Sequence, residues 1–418
     1  MKRGIRVSGT NKEVVFYGAG SYAIQNIDEW RKKWNVVCFV DINKDKWGNT
    51  LGGVVIRPLD DVMTDYPDID FIITTESHFN DIYSYLCEKG ISAHKISFIV
   101  PREKRLGCKF LGKWFQLDGG KVIKTCCFER GYKQRIEEPF SESYELFIKN
   151  VAMINKKLKK HEPTTCDGCP MLVDDWWEIS PKVECFSLAT GFRGDICNCR
   201  CVYCDATGLL QSTWDNDNLS SLEVCNYFSS RADFDGIEIA INNGEFVINK
   251  YQKEILDICR KKKWHITLYS NATRTSDELL EYMKEHDTTV ICSLDAGTRA
   301  TFKKIKCVDG FEKAIDNLKK YSELGTVVLK YIVMKDCNCN MADVNGFIDI
   351  AKRVAKKVVL SRDLNILERD LAEKERSIYR ILIDELYYKA SIPIVVSEDC
   401  IPDADIEWLR CLLKNSSS

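Results

Sequence analysis

The chain has 418 residues, is 45% hydrophobic and carries a formal net charge of −2 at pH 7. That length allows two or three domains with real cores, and the near-neutral balance excludes bulk nucleic-acid binding by charge. Met1-Lys2-Arg3 leads into polar residues with no apolar segment behind it, and no apolar run reaches bilayer length. Cytoplasm is therefore the expected compartment, with no membrane contact, and twenty cysteines there argue for metal or cluster chemistry rather than a disulfide scaffold.

Residues 11–100 read as a small parallel α/β module. Val14-Val15-Phe16-Tyr17 is a buried-strand run that enters Gly18-Ala19-Gly20-Ser21-Tyr22-Ala23 and then a helical segment. A second strand, Val36-Val37-Cys38-Phe39-Val40, ends at Asp41, and a third follows at Asp70-Phe71-Ile72-Ile73-Thr74-Thr75. Two glycines in a G-x-G-x-x-A turn let backbone approach a pyrophosphate at a helix N-terminus, and Asp41 stands where an acid would meet a ribose hydroxyl. Gly18, Gly20 and Asp41 are the binding residues expected here.

Residues 101–180 form a cysteine-bearing connector. Alternation on either side of Asp118-Gly119-Gly120 predicts a β-hairpin, with Cys108 before it and Cys126-Cys127 after it. A helix is expected over 143–160, followed by Cys166-Asp167-Gly168-Cys169-Pro170. Cys108, Cys126 or Cys127, Cys166 and Cys169 are candidate ligands of an iron–sulfur cluster or of a structural zinc, with Cys185 and Cys199 in reserve. Trp176-Trp177 would pack between domains or wall a site.

From 181 to 397 strand and helix patterns alternate. Strands are expected at 183–189, 236–241, 265–270, 289–294, 327–334, 357–360 and 394–396, with helices over 250–262, 276–286, 310–324 and 343–355. Such alternation predicts a parallel sheet with right-handed crossovers, closed into a partial (β/α) barrel. Polar groups then belong at the C-terminal strand ends. Residues 398–418 are a tail with a packing helix.

The first barrel strand leads to Cys197-Asn198-Cys199-Arg200-Cys201-Val202-Tyr203-Cys204. Cys197, Cys201 and Cys204 have C-x3-C-x2-C spacing, which can place three thiolates on three corners of one cluster and leave the fourth iron open to a substrate. A zinc knot is the rival reading of four cysteines in eight residues. The stretch resembles the cluster loop of the radical S-adenosylmethionine (radical SAM) superfamily, with Tyr203 in its aromatic slot. Asn242-Asn243-Gly244-Glu245 resembles that family's G-G-E turn, with Asn in place of the first Gly. The resemblance implies a [4Fe-4S] cluster on Cys197, Cys201 and Cys204. It also implies S-adenosylmethionine held near Tyr203, Gly244, Glu245, Ser270, Asn271, Ser293 and Asp295.

The connector resembles the auxiliary-cluster (SPASM or twitch) module of the same superfamily, placed here ahead of the barrel. The front module, with Phe39-Val40-Asp41, Gly48 and Leu51-Gly52-Gly53-Val54, resembles the N-terminal domain of sugar O-acyltransferases. Together these imply a radical SAM enzyme that abstracts hydrogen from a carbohydrate or nucleotide sugar and takes electrons from a flavodoxin- or ferredoxin-type donor. A peptide or protein side chain is the alternative substrate, and a zinc or iron–sulfur binding protein without catalysis is the alternative of another class. Cys307, Cys337 and Cys339 lie where a radical-quenching thiol would be useful.

Overall fold

The computed structural model of the protein describes residues 13–75, 79–100, 102–126, 131–169, 171–179, 181–189, 191–192, 196–204, 219–242, 244–363, 371–397, 401 and 403–414. They fall into two compact units. One takes the chain up to Lys109 together with Ile154–Pro181, and the other takes Phe110–Met153 together with the chain from Lys182 onward. The expected connector is thus shared between the two. Cys127, Asn243 and Cys400 lie outside the described residues.

The first unit is built on a six-stranded sheet. Its strands are β1 (Glu13–Tyr17), β2 (Asn35–Val40), β3 (Thr50–Leu51), β4 (Val54–Arg57), β5 (Asp70–Ile73) and β6 (Ile96–Phe98), in the order β3-β4-β2-β1-β5-β6. β1 is parallel to both β2 and β5. Successive side chains point to opposite faces, and here both faces are covered. Val15, Tyr17, Cys38 and Phe71 share one core with Leu86 of α3 (Phe79–Glu88). Val14, Phe16 and Phe39 share the other with Ala23, Ile27 and Trp30 of α1 (Ser21–Trp30). This is why the strands read as unbroken apolar runs rather than alternating ones.

The same unit holds an antiparallel ribbon of β7 (Arg102–Gly107) and β11 (Val173–Glu178), in register from Gly107–Val173 to Arg102–Glu178. Trp176 packs on Phe98 and Tyr83, with ring centres 5.3 and 5.5 Å apart, so it belongs to this unit's own core.

The second unit carries a ten-stranded sheet. The expected hairpin is β8 (Trp114–Asp118) and β9 (Val122–Lys124), closed by a Lys121 N–H to Asp118 carbonyl bond of 3.1 Å and extended by β10 (Lys133–Arg135). β8 runs parallel to β12 (Cys185–Leu188). Six further parallel strands follow in sequence order. They are β13 (Glu238–Ile241), β14 (His265–Tyr269), β15 (Thr288–Ser293), β16 (Thr326–Val333), β17 (Lys357–Arg362) and β18 (Ile394–Val396). All seven expected barrel strands are present.

Helices α5 (Ser221–Ser229), α6 (Gln252–Lys262), α7 (Asp277–Glu285), α8 (Arg299–Lys306), α9 (Phe311–Leu324), α10 (Met341–Val354) and α11 (Glu373–Leu382) separate these strands. They make the sheet a partial (β/α) barrel. Side chains start several of these helices as the residue types suggest: Ser220, Ser276, Thr298 and Asn340 each accept a backbone N–H of the first turn. No helix among the described residues is long and apolar enough to cross a membrane.

Aromatic rings close the barrel's β8–β12 side. Phe115 of β8, Phe228 of α5 and Phe234 meet Tyr144 from α4 (Phe140–Lys159), Phe186 of β12 joins them to Trp264, and all six are buried. Phe228 is central, with ring centres 4.5 Å from Phe234 and 5.0 Å from both Tyr144 and Phe186. Phe228→Ala is expected to destabilise this unit by about 3–5 kcal/mol, the range for emptying a packed aromatic site. Denaturant unfolding monitored by fluorescence and circular dichroism checks it.

Candidate active site

In the loop after β12 the described residues 196–204 form no helix or strand, so their shape comes from what they touch. The amide of Cys199 donates to Cys197 Sγ at 3.4 Å, and the amide of Cys204 donates to the Cys201 carbonyl at 3.0 Å. Outside the loop, Arg200 N–H donates to the Lys306 carbonyl at 3.1 Å and Val202 N–H to that of Ile305 at 2.9 Å. Two turns of chain separated by about a hundred residues are joined in this way.

The turn after β13 meets the loop from the other side. The Glu245 N–H donates to the carbonyl of Ile196, the residue before Cys197, at 2.6 Å. Gly244 has φ +57°, and a Cβ placed there would lie 2.2 Å from that same carbonyl oxygen. Both the left-handed backbone and the close approach therefore require glycine.

Glu245 itself is 1% exposed, and burial pushes its carboxyl up to about 8. It accepts from the Ser270 hydroxyl at 2.9 Å and from the Asn271 N–H at 2.8 Å. Asn271 then faces the loop: its Nδ2 donates to Asn198 Oδ1 at 3.0 Å and lies 3.8 Å from Cys197 Sγ. Asn198 Nδ2 donates in turn to Thr273 Oγ1 at 2.7 Å. Glu245, expected at the cofactor, is thus turned inward and braces Ser270 and Asn271.

Asp295, expected at the cofactor as well, is fully buried just past β15. It accepts the Tyr203 hydroxyl at 2.7 Å, the Lys306 ammonium at 2.7 Å and the Ile332 N–H at 2.8 Å. Ser293, the last residue of β15, is half-buried and stands in register with Lys330. Asn338 is buried and donates to the carbonyls of Asp295 and Ile332. Lys306 and Thr273 carry this network and were not singled out in the sequence. Lys306 closes the Phe302, Ile305 stripe of α8 at a position where a buried side chain is due, and that was the available signal.

The thiols suit iron. Hydrogen bonding from Cys199 is the largest influence on Cys197 and, with the Cys199 N–H, Asn271 and Lys306, outweighs burial to bring it down to about 6. Cys201 is lowered too, again first by Cys199. Cys199, buried between them, keeps its proton against Cys197 and Cys201. Cys197 and Cys201 are thus disposed toward the thiolate form that binds iron, and the loop's donor set fits a cluster on Cys197, Cys201 and Cys204.

The connector thiols are placed differently. The β7–β11 register puts Cys108, which follows Gly107, at the ribbon end from which Cys166 and Cys169 lead into β11. Cys166 and Cys169 form a tight turn, with the Cys169 N–H 3.0 Å from the Cys166 carbonyl and Gly168 at φ +71°. Cys126 lies in the other unit. Among the described residues no three His, Cys, Asp or Glu are grouped to hold a single metal ion. Cubane thiolates occupy separate corners, farther apart than the ligands of one ion.

In the first unit a cavity of about 620 Å³ opens above the C-terminal strand ends. Tyr17, Gly18, Gly20, Asp41, Thr74 and Tyr85 contribute to its lining. Asp41 also holds the loop: its Oδ2 accepts the Ala19 N–H at 2.9 Å and the Lys46 ammonium at 2.8 Å, and its Oδ1 accepts the Asn43 N–H at 2.9 Å. Burial opposes its charge, but Lys46 and the two N–H groups outweigh it and hold the carboxyl below the usual range. Asp41 braces the glycine loop.

Residues 193–347 match the Radical SAM superfamily. No curated protein sequence matches the chain. Among solved structures, Streptococcus suis SuiB is similar at 14% identity and a TM-score of 0.40, over 61% of this chain and 55% of that one. The same protein bound to precursor peptide SuiA is similar at 12% identity and a TM-score of 0.41, over 71% of this chain and 73% of that one. Native anSMEcpe with bound AdoMet and Cp18Cys peptide follows at 15% identity and a TM-score of 0.39, over 51% of this chain and 63% of that one. In the first and last of these the matched part is less than two thirds of the other protein's length.

Gly244→Ala is expected to push the Ile196 carbonyl away and loosen the loop. Iron and sulfide per chain after anaerobic reconstitution should show affinity weakened by about tenfold or more, the scale seen when groups that orient metal ligands are lost. The C-x3-C-x2-C loop lies within the matched residues and is folded against successive parallel strand ends, so residues 193–347 carry a Radical SAM domain.

Proposed function

We propose that the protein abstracts a hydrogen atom from a carbohydrate or nucleotide sugar, with the front module holding a nucleotide-linked form of that substrate class. The observation that carries the substrate reading is the cavity of about 620 Å³ beside Gly18 and Gly20. It lies where strand order reverses, β2 on one side of β1 and β5 on the other, and open α/β sheets bind ligands at such points. The Gly18-Ala19-Gly20 turn brings backbone to its floor, and Ser21 begins α1, whose N-terminus favours an anion.

In the barrel, Cys197, Cys201 and Cys204 would hold the cluster, with Tyr203, Gly244, Ser270, Asn271 and Ser293 around S-adenosylmethionine. When bound, the reduced cluster and S-adenosylmethionine supply a 5′-deoxyadenosyl radical. The chain's own part is to position and to exclude water. Asn271 and Asn198 fix the Cys197 side of the loop, and Glu245 keeps Asn271 in place. The electron comes from a one-electron donor of flavodoxin or ferredoxin type. Of the connector thiols, Cys108, Cys166 and Cys169 share the first unit and are proposed to carry an auxiliary cluster that would take back an electron after hydrogen abstraction.

Iron per chain separates the parts of this reading. Wild type should bind about eight irons, and Cys197→Ala/Cys201→Ala/Cys204→Ala about four, given four irons per cubane. A fall from about four to none would remove the auxiliary cluster and keep the catalytic one.

The substrate reading has its own measurement. A uridine- or cytidine-linked sugar at about a hundred times its Kd should stabilise the first unit by about 2.7 kcal/mol. Gly20→Ala should abolish that shift without unfolding the module, because a Cβ at Gly20 meets nothing within 4 Å. If no nucleotide sugar shifts the melting temperature and a peptide stimulates S-adenosylmethionine cleavage instead, the substrate is a peptide or protein side chain.

A further inference from the structure

Tyr203, the residue before Cys204, is tied to a buried charge pair to which nothing above gives a role. Lys306 is 1% exposed and Asp295 0%. The Lys306 ammonium donates to the Tyr203 hydroxyl at 2.5 Å and to Asp295 Oδ2 at 2.7 Å, and the Tyr203 hydroxyl donates to that same oxygen at 2.7 Å. The ammonium also lies 4.9 Å from the centre of the Tyr203 ring. The ring packs beside Cys337 on Ile305, Ile332 and Met334.

The pair is held from every side. Asp295 Oδ1 takes the Ile332 N–H, and Asn338 donates to the carbonyls of Asp295 and Ile332, each at 2.8 Å. Asp295 sits at φ +58°, a left-handed conformation that a non-glycine residue occupies at a cost on the order of 1 kcal/mol. Removing an ammonium and a carboxylate from water costs several kcal/mol per ion, and apolar residues of similar volume would fill such a site at least as stably. Packing alone does not account for the arrangement. Its hydrogen bonds converge on the last turn of the thiol loop, where Arg200 and Val202 are already bonded to the carbonyls of Lys306 and Ile305.

We propose that Lys306 and Asp295 are positioning residues for the iron–sulfur loop, holding Tyr203 and through it the Cys201–Cys204 turn in the geometry that retains the cluster and presents its open corner to S-adenosylmethionine. The proposal rests on the radical SAM assignment and concerns two residues outside the thiol set that would hold the cluster. Lys306→Met removes the charge and keeps the apolar stem. Tyr203→Phe removes only the hydroxyl and leaves the Lys306–Asp295 pair intact. Lys306→Arg restores a cation able to span both partners.

The experiment reads iron release to a chelator, the midpoint potential of the cluster and the change in its electron paramagnetic resonance spectrum on adding S-adenosylmethionine. All are measured on anaerobically reconstituted full-length protein, beside the melting temperature. Lys306→Met is expected to lose iron about ten- to a hundredfold more readily and to show a diminished spectral response. Tyr203→Phe should shift in the same direction with its melting temperature near wild type, and Lys306→Arg should recover at least part of the response. If Lys306→Met does not fold, Tyr203→Phe decides. Wild-type values for iron release, potential and spectral response in whichever of these variants folds overturn the proposal and leave the radical SAM assignment standing. A wild-type protein that takes up no iron overturns both.

Discussion

The carboxylate of Asp295 is the point on which the catalytic half depends. It lies at the end of the fourth barrel strand, faces the fifth through Ile332 and reaches the thiol loop through Tyr203. A buried carboxylate with too few donors would be destabilising by several kcal/mol. Here Lys306, Tyr203 and a backbone N–H supply donors to both oxygens. The arrangement ties three sequence-distant segments together and fixes the loop between them. Glu245 does the corresponding work on the other side, bridging the second and third strand ends. The thiol loop is thus held between two buried carboxylates.

Much of this architecture was legible in the chain itself. The barrel strands are apolar runs such as Val327-Val328-Leu329, buried on both faces, and Ile239-Ala240-Ile241, flanked by amphipathic helices, so composition and period agree with the fold. The hairpin at Asp118-Gly119-Gly120 was legible because both glycines adopt positive φ, which few other residues tolerate. The thiol loop could be read because cluster geometry constrains spacing. The division of the connector could not, since residues 110–153 and 154–181 belong to different units although no break in composition separates them.

Roles within the site were harder to read than membership of it. Glu245, Ser270, Asn271 and Asp295 do gather at the strand ends, as polar residues after successive strands suggest. What the sequence does not carry is burial. Glu245 and Asp295 look like cofactor-facing acids in one dimension, yet in three they point inward and serve their neighbours. Asp41 in the front module is likewise a brace, bonded to Lys46 five residues on and to the Ala19 and Asn43 N–H groups. Lys306 was hidden for the converse reason, because a lysine in a run of Lys303-Lys304-Ile305-Lys306 reads as solvated.

The hydrogen bond between Tyr203 and Lys306 joins residues 103 apart in the chain. During synthesis the four loop cysteines leave the ribosome well before the residues that shape them. At about 5–20 residues per second the delay is roughly 5–20 s. For that interval the loop lacks the Lys306 and Ile305 carbonyls to which Arg200 and Val202 are bonded in the folded protein. Only when α8 has emerged and the fourth and fifth strands have paired does the loop acquire the shape of a cluster site. The shape of the thiol loop is therefore a property of the finished barrel and not of the loop's own sequence.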